Sequence, residues 1–160
     1  MLKVSFKDKE GCPARKVEVF NDKATVVTLT GVVKAPEWWW KIPKEVHKWM
    51  TNHPSVEVYD NLLGNVIVKV IGKSICSDED EFNPVLGERI AEARAKKKLY
   101  GFMLTLTKKL ICYYHNLLYG KFAVKVEGET ADSCIYKEME KYSVLYGAEL
   151  EHLRNLLAIS

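Results

Sequence analysis

The chain has 160 residues, 48% of them hydrophobic and 28% charged, with a formal net charge of +3 at pH 7. Those values are ordinary for a soluble globular protein and suit one domain, residues 1–160, with a real core. The small positive charge excludes a DNA mimic, and it leaves nucleic-acid binding to rest on a local patch rather than on the whole molecule.

The N-terminus alternates, with Leu2, Val4 and Phe6 separated by Lys3 and Ser5, which reads as a half-buried strand. Val17, Val19 and Phe20 make a second strand, Asn21-Asp22-Lys23 a hairpin turn, and the β-branched run 24–33 a third strand in which Gly31 is a candidate bulge. Trp38, Trp39 and Trp40 follow. Three consecutive tryptophans cannot share one face, so they either plug the open face of the sheet or form a partner-binding or base-stacking surface. A short helix fits 44–51, with Val46, Trp49 and Met50 on one side, and Asn52-His53-Pro54 ends it. Val56–Tyr59 and Val66–Ile71 are two further strands, the second continuing over Ser74-Ile75-Cys76 after a bulge at Gly72.

After the acidic loop 78–81 the periodicity changes. Asn83 is a good N-cap and Pro84 suits the first helical position, and an apolar 3.6-residue pattern runs on to Leu117, with Gly101 a point of kinking or division. Residues 122–126 read as a short strand or an extended connection. A last helix runs from about Ala131 or Asp132 to Leu157, with Ile135, Met139, Tyr142, Leu145, Tyr146, Leu150, Leu153, Leu156 and Leu157 following its 3.6-residue repeat. Strands come first, over 1–77 with the Trp-rich helical insert, and helices come second, over 83–160. The fold class is therefore α+β: an antiparallel sheet of about five strands covered by two or three long helices.

No catalytic set emerges, so the chain reads as a non-enzyme with no cofactor. His47, His53, His115 and His152 are scattered, and the acidic loop lacks the spacing of a calcium site. Cys12, Cys76, Cys112 and Cys134 lack zinc-site spacing; they read as reduced, with Cys112 and Cys134 packed as small hydrophobes in helices. No signal peptide and no apolar run near the ~20 residues of a membrane span are present, which points to a cytosolic protein. The one constellation with binding chemistry lies on the long helix, where Arg94, Lys97, Lys98, Lys108 and Lys109 fall on one stripe, with Lys96 and Arg89 opposite. Such a stripe either contacts phosphates of DNA or RNA or is the solvated face of an amphipathic helix. Tyr113, Tyr114, Leu117 and Leu118 leave little polar surface near the helix end, which admits a homo-oligomer.

The stretch Val68 to Ala95 resembles a strand–loop–helix module of small, mostly uncharacterised phage and prophage proteins. The matching residues are Cys76, Glu79, Asp80, Phe82, Gly87, Ile90, Ala91, Arg94 and Ala95, while Ser77 and Asp78 stand where that module often has His-Pro and Asn83 where it has Asp. The module carries no settled activity. Physically, Phe82 should staple back on the first helical turns, and Gly87, Ala91 and Ala95 should let the helix approach the sheet. What the resemblance implies is a phage accessory protein in the cytoplasm of an infected or lysogenic bacterium, acting by binding a host protein or nucleoprotein complex, such as a CRISPR nuclease of the host defence. The basic stripe keeps a nucleic-acid-binding accessory role open, and a ligand site assembled only in three dimensions is the third reading.

Overall fold

The computed structural model of the chain describes residues 3–5, 15–34, 43–60, 66–118, 125–126 and 129–159. Among these, five strands form one antiparallel sheet: β1 (Lys3–Ser5), β2 (Arg15–Phe20), β3 (Ala24–Lys34), β4 (Val56–Asp60) and β5 (Val66–Ile75). The order is β1-β3-β5-β4, and β2 pairs with β3 beyond the stretch that β1 occupies. Three helices accompany the sheet: α1 (Lys44–Thr51), α2 (Pro84–Leu118) and α3 (Ala131–Ile159). A small second ladder joins β6 (Lys125–Val126) to β7 (Glu129–Thr130). The α+β expectation therefore holds, with two long helices in the C-terminal half and α1 short. Trp38, Trp39, Trp40 and Cys12 lie outside the described residues, as do the side chains of Tyr114, Leu117, Leu118 and Cys134.

Local chemistry explains the boundaries. The β2–β3 turn puts Asn21 and Asp22 at φ 51° and 50°, in the left-handed region that these two residues tolerate best after glycine. The Lys23 N–H closes the turn on the Phe20 carbonyl at 3.0 Å. At the start of α2, the Asn83 side-chain oxygen accepts the Leu86 N–H at 3.0 Å, the cap its position in the sequence anticipates. Across the sheet, β3 and β5 pair without interruption from Ala24↔Ile75 to Val33↔Val66. Gly31 and Gly72 are thus regular ladder positions, and neither is a bulge.

Gly72 has a different reason to be glycine. A Cβ there would stand 1.8 Å from the Ala91 carbonyl oxygen and 2.6 Å from the Ala95 nitrogen, so α2 lies directly on the strand backbone. Ala91 and Ala95 are fully buried at that crossing. Gly87 serves the same approach further up the helix, where a Cβ would meet the Thr25 hydroxyl at 3.0 Å. The helix runs unbroken through Gly101, which faces the ring of Tyr146 on α3.

One face of the sheet is the core. Val27 and Leu29 of β3, Val56 of β4 and Val68 and Val70 of β5 alternate inward and meet Leu99, Phe102, Met103, Leu106 and Leu110 of α2, with Val46 and Met50 from α1 and Tyr142 from α3. Burying each such large side chain is worth about 1.5–3 kcal/mol. A smaller cluster joins Ile90 and Ala93 of α2 to Leu153 and Leu156 of α3. Arg15 ties β2 to α2 through Glu88 and, at 3.3 Å, Glu92. Cys112 is exposed on α2, so it is not packed as a small hydrophobe.

Candidate nucleic-acid interface

The five cations of the expected stripe lie on one continuous helix, and the fold divides them by role. β4 pairs with β5 only from Val66 to Val70, so the rest of β5 has no neighbouring strand on that side. The carbonyls of Ile71 and Lys73 point the same way, as residues two apart in a strand do. Lys98 donates to the Ile71 carbonyl and Arg94 to the Lys73 carbonyl, each at 2.7 Å. Two cations of the stripe thus satisfy an open sheet edge, a common use of basic side chains on edges left without a strand.

Of the remaining three, in the seam between α1 and α3, Lys108 and Lys109 are exposed and Lys97 is half-buried. Lys109 places its Nζ 5.3 Å from the centre of the Trp49 ring, a contact worth roughly 0.5–1 kcal/mol at an exposed position. Trp49 in turn stacks on Phe102, with ring centres 5.2 Å apart and planes 9° apart, and His53 meets both rings edge-on. Lys97 lines an open cleft of about 380 Å³ together with His53, Ser55, Lys98, Thr105 and Tyr146. Lys108 and Lys109 border a second depression beside Glu45 and Cys112.

Several lysines elsewhere pair with carboxylates, Lys96 with Glu92 at 3.3 Å on the far side of α2, Lys16 with Glu18 at 2.8 Å, Lys69 with Glu57 at 3.5 Å, and Lys23 with Asp78, while Lys44, Lys48 and Lys73 do not among the described residues. Lys97, Lys98, Lys108 and Lys109 have no carboxylate partner among the described residues. Their potentials therefore add rather than cancel, over a helix length of about 16 Å from Lys97 to Lys108.

His53 adds a polar group that a scan of the sequence for metal or catalytic spacing passes over. Its Nδ1 accepts the Ser55 N–H at 3.2 Å, which leaves the ring proton of the neutral form on Nε2. Burial against the two aromatic rings lowers its pKa below the ordinary histidine value. The unfolded chain then binds more protons than the folded one, so stability present above about pH 6.5 is lost as pH falls through the lowered value. Urea midpoints at about pH 7.5 and pH 5 should separate more in the wild type than in His53→Gln; equal separations would remove His53 from the pH response.

No helix of the described residues is long and apolar enough to cross a membrane. No group of three His, Cys, Asp or Glu residues among them could hold a metal ion. No family model, curated protein or solved structure matches the chain.

Proposed function

We propose that this protein acts by binding, and that the partner of its α2 seam is nucleic acid. The observation that supports this reading is that Lys97, Lys108 and Lys109 share one broad side of α2 and none has a carboxylate partner among the described residues. Ammonium groups so placed meet phosphates through charge, and release of the phosphates' condensed counterions supplies the affinity. Thr105, whose hydroxyl donates to the Gly101 carbonyl at 3.0 Å, lies on the same side and keeps lone pairs for a bridging water. Trp49 is committed to Phe102 and Lys109, so it anchors the seam and does not serve as a platform for bases. Opposition to a host defence nuclease, the role that the phage-like module implies, is compatible with this surface where the defence complex itself displays nucleic acid.

Fluorescence anisotropy with labelled DNA and RNA oligonucleotides tests the reading. The wild type should bind at about 50 mM salt, with affinity falling steeply as salt rises. Lys97→Gln/Lys108→Gln/Lys109→Gln should weaken binding at least about tenfold and reduce the log–log salt slope by about 2–3, since each phosphate contact contributes roughly 0.7–0.9. Lys96→Gln, on the opposite side, should change little. Absence of wild-type binding at low salt would overturn the proposal.

A further inference from the structure

We propose that a second site, separate from the lysine seam, binds a small monocarboxylate with an apolar body. The site is the cavity of about 350 Å³ where the end of β5, the first turns of α2 and the end of α3 meet. Its polar lining includes Arg94, Ser74 and Lys23, the last paired with Asp78. Arg94 is fixed by its Nη1 bond to the Lys73 carbonyl, and no carboxylate pairs with it among the described residues. A guanidinium has five N–H donors in a planar fork, so several remain for a ligand carboxylate. Ser74 is only 9% exposed, lines the cavity, and its hydroxyl makes no hydrogen bond among the described residues.

Ser74 pairs across the ladder with Thr25, whose buried Oγ1 also lacks a partner. Both hydroxyls lie under Gly87, 3.0 Å (Thr25) and 3.9 Å (Ser74) from where a Cβ would be. The Thr25 hydroxyl is the buried one, whereas Ser74 lines the cavity and its hydroxyl can hydrogen-bond a ligand oxygen seated there. The positive end of the α2 dipole lies at the same wall.

The opposite lining is apolar: Leu86 and Ile90 from α2 and Leu157 from α3, with Phe82 from the preceding loop. Asp80 and Glu81 stand on the loop rim. They disfavour a phosphate or any polyanion, so the charge a ligand brings is a single carboxylate directed at Arg94. An ammonium group on the same ligand would meet the rim carboxylates. Two sources share this chemistry, an apolar α-amino acid and a medium-chain fatty acid.

Isothermal titration of the intact protein with leucine and with octanoate tests the site. One of them should bind saturably at a single site below about 1 mM, the range open to ligands this small. Leucine as the better ligand identifies the amino-acid source, and octanoate the fatty-acid source. Arg94→Lys keeps a donor for the Lys73 carbonyl but loses the fork, and should weaken binding at least about tenfold. Leu157→Asp, at a position 42% exposed, should weaken it similarly without unfolding the chain. Failure of both ligands to saturate by about 10 mM, or affinity indifferent to both substitutions, would overturn the proposal.

Discussion

Replacing Gly72 with alanine is expected to cost at least about 3–5 kcal/mol, a large fraction of the total stability of a domain of this size. The added methyl would sit 1.8 Å from the Ala91 carbonyl oxygen and 2.6 Å from the Ala95 nitrogen. Both are backbone atoms of a helix and cannot rotate away. β5 cannot retreat either, because it is hydrogen-bonded to β3 along its length and to β4 over half of it. Relief requires lifting α2 off the sheet, which opens the contacts of Leu99, Phe102 and Leu106 with Val27, Val68 and Val70. Gly87→Ala is the matched comparison. Its nearest neighbour is a threonine side-chain oxygen at 3.0 Å, a group that can give, and alanine gains about 1 kcal/mol of helix propensity over glycine there. Urea melts should therefore place Gly87→Ala within about 1 kcal/mol of the wild type, and Gly72→Ala far below it. Similar midpoints for the two variants would mean that α2 does not rest on β5 at this crossing.

The two glycines also show where the sequence stops being informative. A lone glycine in a strand pattern signals either a bulge or a close approach of another backbone, and periodicity cannot say which, because the second element is distant in the chain. The pattern of alternating apolar residues, the Asn21-Asp22 turn and the Asn83 cap at the start of α2 were all legible, since each is decided within a few residues; the continuity of α2 through Gly101 was not. The azimuth of the basic stripe was legible for the same reason. The division of labour within it was not, because it follows from β4 ending beside Val70 and leaving two carbonyls of β5 open. One clue was present: the β5 pattern outruns that of β4, so some donor had to serve the excess edge. Trp38, Trp39 and Trp40 lie outside the described residues, and among the described ones Trp49 is the tryptophan that meets the stripe. Its spacing of four from His53 lets both rings reach Phe102.

Phe102→Ala is expected to separate folding from binding. Phe102 is 2% exposed and joins the sheet-facing core to Trp49 and His53. Truncation removes that ring and leaves a cavity under α1, a loss of about 3–5 kcal/mol. Two local changes should accompany it. Trp49 loses its stacking partner, which loosens the platform beneath Lys109. His53 becomes better hydrated, and since burial is the cause of its lowered pKa, that value should rise toward the ordinary histidine range in an NMR titration. Lys97 and Lys108 do not depend on either contact, because α2 is held to the sheet and to α3 along its length. At a temperature where the variant is still folded, its affinity for nucleic acid should stay within about threefold of the wild type, the share of one weakened phosphate contact. The Lys97, Lys108 and Lys109 triple variant should show the reverse, with stability within about 0.5 kcal/mol per exposed site and affinity greatly reduced. If Phe102→Ala weakened binding as much as the triple variant does, the interface would be a composite held by α1, and not a line of charge on α2.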